Sequence, residues 1–320
     1  MYSKDEIKVS VCVITYNQEN HIAECLQSLV DQKIDFPFEI IVGEDCSTDR
    51  TRKIVEEFAL KYPDLIVRNY HDENLGAVQN AITTYRMAKG KYICHMDGDD
   101  GALPDKLSRA ALLLDNNPNC VMATHNVIVV SDKSEKICDN LKGFESGIYS
   151  MEDLIKNLPF FTNSAKMVRK FACIESLNLL HNNAVDVELH LLESRFGKIF
   201  HINSPLGFYR EMVGVSSNKK SVNPLIVEGY IRLFESLKKG DLFKVNIKID
   251  DLNKIYAMSI LNFAYQSVFF GDYKSARKYT IDSFYIKFFS FKQLVVFILS
   301  CLGPFSRILV LARLKLKRLK

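Results

Sequence analysis

The 320-residue chain lacks the signatures of several large protein classes. None of its eight cysteines (Cys12, Cys25, Cys46, Cys94, Cys120, Cys138, Cys173 and Cys301) forms a CxxC pair, so zinc-ribbon and thioredoxin-like readings fail. Several sit in apolar runs, where a thiol acts as a small hydrophobe; reduced core cysteines of a cytosolic protein are expected. No internal repeat and no low-complexity segment is present. Met1 to Lys8 is polar, and Val9 to Ile14 is too short for a signal-peptide core, so a cytoplasmic location is expected. The formal net charge of +4 is too small to point to nucleic acid, and no nucleic-acid partner is expected.

What is present is an ordinary globular composition, 48% hydrophobic and 25% charged. Val9–Ile14, Glu39–Gly43, Leu65–Tyr70 and Tyr92–Met96 read as buried strands. Between them, Ile22 to Val30, Ile54 to Leu60 and Ala77 to Ala88 have helical spacing. Strands alternating with helices predict an α/β fold with a mainly parallel sheet flanked by helices. Further on, Leu107–Leu114 predicts a helix, Val121–Val130 a strand pair, Gly143–Tyr149 a loop and Met151–Leu158 a helix. Phe160–Ser164 reads as a turn, Ala184–Phe196 as a helix and Ile199–Asn203 as a late strand. From Pro224 the chain reads as helical. Ligands of parallel sheets bind at the carboxyl ends of the strands. The polar segments Thr15-Tyr16-Asn17, Glu44-Asp45, His71-Asp72 and Asp97-Gly98-Asp99-Asp100 are therefore predicted to meet at one edge.

The sharpest of these is Asp97-Gly98-Asp99-Asp100. Three carboxylates in four residues repel one another unless a cation compensates. Alternate carboxylates suit Mg²⁺ or Mn²⁺, hard ions that also take phosphate oxygens. Alone, the segment also reads as a solvated acidic turn or a helix cap before Pro104; behind a buried strand, the metal reading is favoured. In Glu44-Asp45-Cys46-Ser47-Thr48-Asp49 the first two acids are free to meet a base or ribose, and Ser47 or Thr48 is expected to cap the next helix. Tyr16 offers a ring for stacking on a nucleobase, or a half-buried turn residue. Asn74-Leu-Gly76 offers a glycine turn with backbone N–H groups.

Together, residues 9–17, 44–49, 74–76, 96–100 and Leu103-Pro-Asp-Lys-Leu107 resemble the family 2 glycosyltransferases of GT-A fold, of the bacterial capsule or O-antigen type. The resemblance runs from about Val9 to Ser217. It implies that Thr15 and Tyr16 line the base pocket, Asp45 binds the base, Asp97 approaches the ribose, and Asp99, with Asp97, holds the metal. Asn17, Glu19, Glu44, Asn74, Gly76, Gly98 and Arg210 are counted with the donor-binding residues. Glu44 stands where the family has Asp, and Arg210, in Phe208-Tyr-Arg, matches a motif near the diphosphate; Met212 replaces a following His. The general base maps onto Asp186 in Ala184-Val-Asp-Val-Glu-Leu189, with Glu188 in reserve. Val185 replaces the usual first acid, and an exposed helix-start Asp favoured by the dipole is the competing reading. Phe161–Ser164 and Lys166–Lys170 match a segment before the acceptor site. His125 and His201, on apolar segments, are read as satisfied structural histidines.

The expected organisation is a transferase domain over 1–220, a helical extension over 221–283 and a membrane-associating segment over 284–320. Its longest apolar run, Leu294 to Leu302, is nine residues, short of the ~20 that span a bilayer. It is followed by a basic stretch from Arg307 to Lys320, which reads as an interfacial anchor rather than a core helix with a solvated tail. The expected activity is a metal-dependent inverting transfer from a UDP-sugar to a saccharide or lipid-linked saccharide at the inner membrane face. The alternatives are a non-catalytic nucleotide-sugar-binding partner and a nucleotidyltransferase. The latter should show a Gly-rich basic loop after the first strand, whereas Thr15 to Asn20 has no Lys or Arg.

Overall fold

A computed structural model of the protein describes residues 6–139, 143–211 and 221–305. Met212 and the basic residues from Arg307 to Lys320 lie outside the described residues. The chain divides into two compact units, with the boundary between Gly214 and Val215.

The first unit begins with β1 (Val9–Thr15), α1 (Ile22–Val30), β2 (Phe38–Glu44), α2 (Thr51–Lys61), β3 (Ile66–Tyr70), α3 (Ala77–Met87) and β4 (Tyr92–Asp97). The four strands pair in parallel in the order β3-β2-β1-β4. Nearly every residue of β1 is buried, because helices cover both faces of such a sheet. In α1, Ile22, Cys25, Leu26 and Leu29 are buried, the one-face spacing that docks an amphipathic helix.

The chain continues through β5 (Gly101–Ala102), α4 (Lys106–Asn116), β6 (Cys120–Val130), β7 (Lys136–Asp139) and β8 (Gly147–Tyr149). Next come α5 (Met151–Lys156), a 3-10 turn (Asn163–Ala165), β9 (Lys166–Arg169), α6 (Lys170–Leu177), α7 (Asp186–Ser194) and β10 (Lys198–Arg210). The expected α/β architecture with a mainly parallel core is present. Four details differ. Residues 120–130 form one long strand rather than a pair, because β9 and β10 pair along its two edges. The expected loop before Tyr149 ends in β8. β9 was not expected: it enters antiparallel between β4 and β6, and its polar Lys166 is buried there against Glu193 at 2.9 Å. β10 runs well past Asn203, crossing Pro205 through register shifts that interrupt any alternation.

The second unit is helical: α8 (Pro224–Lys239), α9 (Ile249–Phe270), α10 (Tyr273–Ile286) and α11 (Phe291–Cys301). Asn223, Asp272 and Ser290 cap α8, α10 and α11 by accepting backbone N–H groups of the first turn. Tyr256, Ile260, Phe263, Ala264 and Val268 form the buried stripe of α9. Among the described residues no helix is long and apolar enough to cross a membrane.

The buried Lys166–Glu193 pair joins β9 to α7. Removing one partner strands a buried charge, whereas removing both does not. Lys166→Met is expected to destabilise the first unit by about 3–5 kcal/mol, and Lys166→Met/Glu193→Leu to recover most of that loss, read from urea unfolding midpoints.

Candidate active site

The parallel register puts Thr15 opposite Glu44 and Ile14 opposite Asp97, so the ends of β1, β2 and β4 are neighbours. The loops that leave them are sewn together. Asn17, at a positive φ of 52°, donates its N–H to Ser47 Oγ (3.0 Å), and its side-chain oxygen accepts the Thr48 N–H (2.8 Å). Gln18 N–H donates to Thr51 Oγ1 (2.8 Å) and Glu19 N–H to Asp49 Oδ2 (3.1 Å). The Glu19 carboxylate accepts the Arg50 N–H at 3.0 Å. The side chains of Asn17 and Glu19 thus hold one loop to the next, while Tyr16 is half-buried beside them.

Glu44 and Asp45 have separate surroundings. Glu44 is fully buried, accepts the Ser47 N–H at 2.8 Å and is ion-paired with Arg52. Its carboxylate is turned to internal partners. Asp45 accepts the N–H groups of Leu75 (2.8 Å) and Gly76 (2.9 Å), and Asn74 donates to the Asp45 carbonyl (3.1 Å). Gly76 has φ 82°, which only glycine adopts without strain, so the turn can aim its N–H at Asp45. A carboxylate has about four acceptor positions, so Asp45 keeps capacity for a ligand. The expected cap of α2 by Ser47 or Thr48 is corrected: the helix starts only at Thr51, and Asp49 accepts the Thr51 N–H at 2.9 Å.

The acidic loop packs tightly. A Cβ on Gly98 would lie 2.4 Å from Gln18 Oε1 and 2.8 Å from Thr15 Cβ, so only glycine fits. The loop does not cap a helix: β5 intervenes, and Asp105 precedes α4 without a side-chain bond. Asp97 Oδ1 lies 3.0 Å from His95 Nε2, and Ser164 Oγ donates to Asp97 Oδ2 (3.1 Å). Burial opposes the Asp97 charge, but His95 and Ser164 outweigh it and hold its carboxyl below the usual value. Asp99 is raised to about 6 by burial and then by the charge of Asp97. Asp100 is pushed well up by burial and by both neighbours. Its Oδ1 accepts the Arg210 N–H (2.9 Å), while its buried Oδ2 has no hydrogen-bond partner.

Arg210, expected near a diphosphate, has internal partners instead. Its guanidinium donates to the Asp99 carbonyl (2.9 Å), the Ser131 carbonyl (2.9 Å) and Glu24 Oε2 (2.7 Å). It is 1% exposed, so it braces the acidic loop from behind. Such a destination depends on three distant segments and has no local signal.

Asp186 is the first residue of α7. It is exposed at its surface, yet enough protein surrounds it that burial is the first cause of its raised carboxyl, followed by the charge of Asp97. His190, one turn further along α7, is tied through Asn163 to His95, which meets Asp97, so the start of α7 lies near the acidic loop. Glu188 folds back to accept the Val185 N–H at 2.8 Å; Val185 has no acceptor to complete a reciprocal capping box.

The sequence reading passed over a buried polar network. His95 Nδ1 meets the Tyr85 hydroxyl at 2.6 Å. Asn163 lies 2.8 Å from His95 Nε2 and 3.1 Å from His190 Nε2. The available signal was that His95 precedes Asp97 by two residues on one strand, which gives them a common face. His125 and His201 were expected to be fully satisfied. Each bonds through Nδ1, but each buried Nε2 lacks a partner, and burial keeps both rings neutral, His201 with its pKa lowered to about 4. Among the described residues no three His, Cys, Asp or Glu side chains form a ready metal cluster.

The sequence profile described as Glycosyl transferase family 2 matches residues 10–177. An uncharacterized protein of Mycobacterium tuberculosis is 35% identical over 129 residues, 40% of this chain and 37% of that protein. Chondroitin synthase of Escherichia coli is 28% identical over 217 residues, 67% of this chain and 30% of the synthase. The chain therefore spans about a third of the length of these relatives. Among solved structures, Staphylococcus aureus TarS 1–349 in complex with UDP-GlcNAc superposes with a TM-score of 0.62 at 18% identity, covering 92% of this chain and 90% of that one. At that identity the likeness is one of fold, the GT-A fold. With the profile covering more than half of its residues, the chain belongs to glycosyl transferase family 2.

Proposed function

We propose that this protein transfers a sugar, with inversion, from a UDP-sugar to a saccharide or lipid-linked saccharide during cell-surface polysaccharide synthesis, as a peripheral protein of the inner membrane face. The observation that carries the reading is the placement of the start of α7 beside the acidic loop: His190, one turn along from Asp186, is linked through Asn163 to His95, which meets Asp97. In this reading Tyr16 stacks on the base, Thr15 lines its pocket, Asp45 accepts from the base and Asp97 from the ribose. Asp186 takes the proton of the acceptor hydroxyl as that oxygen attacks the anomeric carbon; its raised carboxyl makes it a stronger base. The family of the chain, the polymer-making name of one relative and the UDP-GlcNAc complex of a fold neighbour support the donor class.

The acidic loop fits Mn²⁺ or Mg²⁺. The unpartnered Asp100 Oδ2 and the raised carboxyls of Asp99 and Asp100 are what a hard-cation site looks like when only carboxylates are considered. Asp99, with Asp97, would hold the ion, and diphosphate oxygens and water complete its shell, so no three-residue protein cluster is required. The bound ion supplies charge neutralisation for the departing nucleoside diphosphate. A nucleotidyltransferase reading finds less support. The backbone N–H groups of Asn17, Gln18 and Glu19 are already taken by side chains of the next loop, leaving none there to cradle a phosphate. Donor binding without turnover would instead identify a non-catalytic partner, the alternative that the departures at Val185 and Met212 keep open.

Asp186→Asn is expected to lower sugar transfer by about 10²–10⁴-fold, while UDP-sugars with Mn²⁺ still raise the melting temperature as they do for the parent chain. Transfer at the parent rate counts against the assignment. In the absence of divalent cations, folded Asp99 keeps its proton up to about 6, whereas the unfolded chain releases it near 3.8. Between those values the folded state holds more protons, so stability falls as pH rises. Asp99→Asn is expected to flatten this slope in pH-dependent urea unfolding. Mn²⁺ is expected to flatten it in the parent chain but to have no further effect on the variant.

A further inference from the structure

Helix α11 is built inside out. Its buried positions are Gln293, Val296 and Ser300. Gln293 is held inward by donating to Ser283 Oγ (2.9 Å) and the Lys287 carbonyl (2.9 Å), and by accepting the Phe289 N–H (2.9 Å). The opposite face carries Phe291, Leu294, Val295 and Ile298, and the stripe continues past the helix end at Leu302 and Phe305. These six are between 45% and 77% exposed. At 100° per residue, Phe291, Leu294, Val295, Ile298 and Leu302 fall within one arc of about 100°. An amphipathic surface helix normally buries its larger apolar residues and exposes its amides and hydroxyls. Here the second unit is docked through the polar and small side, and the apolar side is left facing outward.

Charge indicates what the face is for. After Asp282 the sequence holds eight Lys and Arg and no acid. The whole chain is +4, so the residues up to Asp282 carry −4 and the remainder +8. The apolar stripe therefore runs directly into the most cationic part of the sequence. A second copy paired in parallel along this stripe would bring two such cationic sequences side by side, which their charge opposes. An anionic lipid surface accepts both the apolar side chains and the basic ones. An 11-residue helix is only about 16 Å long against a hydrocarbon core of about 30 Å, so it lies along the interface and does not cross it.

We propose that the outward face of α11 is an interfacial docking surface for membranes rich in anionic lipid, with the face itself entering the acyl boundary. This deepens the peripheral membrane placement given above and rests on that reading. The chain contains no tryptophan, so Phe291→Trp introduces a single emission reporter on the stripe. Its emission is expected to shift to the blue on addition of vesicles containing phosphatidylglycerol, and much less with phosphatidylcholine alone. In flotation assays, full-length Leu294→Glu/Ile298→Glu is expected to partition about tenfold or more weakly than the parent, while Leu60→Glu, at an exposed apolar position of α2, partitions like the parent. Equal flotation of the double variant, failure of the parent to float with anionic vesicles, or a blue shift that follows protein concentration without vesicles overturns the proposal; the last outcome identifies a second copy as the occupant. Transfer to a soluble saccharide is measured in parallel. Lost flotation with retained transfer in the double variant supports the docking surface. A parent chain that transfers sugar but never floats removes the docking surface and leaves the enzymatic reading standing.

Discussion

Asp97, Asp99 and Asp100 crowd the end of β4 at the carboxyl edge of one sheet, and the repulsion among them is the constraint around which the candidate site is arranged. Each positive or donor group nearby has a definable part in containing it. His95 and Ser164 keep Asp97 ionised, at the expense of Asp99 and Asp100, which feel that charge. Arg210 fixes the backbone of the loop through the Asp99 carbonyl and the Asp100 carboxylate, and anchors itself on Ser131 and Glu24. What remains without a hydrogen-bond partner is one oxygen of Asp100. A buried carboxylate oxygen left without a partner is costly, and it is this cost that the proposed cation would relieve.

The strand ends and the acidic loop were legible because they rest on short-range rules. Continuous β-branched runs read as buried parallel strands, and the place of Asp97 at the end of one such run marked the edge. Asp186 was legible as a helix start. The remainder depends on contacts that sequence proximity does not encode. Lys166 looks like a surface residue until Glu193, on another element, is brought beneath it. Pro205 hides β10 because the bulge it needs removes the alternation. Glu44 was read as ligand-facing from its place at a strand end and Arg210 from a motif resemblance, yet Arg52 and Glu24 are their partners, and neither pairing follows from spacing alone. His95 was within reach of a period-of-two argument, since it shares a strand face with Asp97.

The second unit shows the same limit from the opposite side. The composition of α11 declared an apolar helix, and its length argued against a membrane span. The face that turns outward is set opposite Gln293, whose four side-chain hydrogen bonds hold it inward. One buried amide thereby converts an unremarkable apolar segment into a directional surface.

The position of β9 has a consequence for the order in which the protein is made. During synthesis, β1 to β4 emerge first and pair among themselves, yet the outer edge of β4 has no neighbour until residues 166–169 appear, and β5 none until 207–208. The ribosome must therefore deliver about two thirds of the chain before the acidic loop between those two strands is flanked on both sides. Until then β4 is an open sheet edge, the kind of surface on which nascent chains pair wrongly. The acidic loop, although encoded within the first third of the sequence, is completed only by residues from its later part.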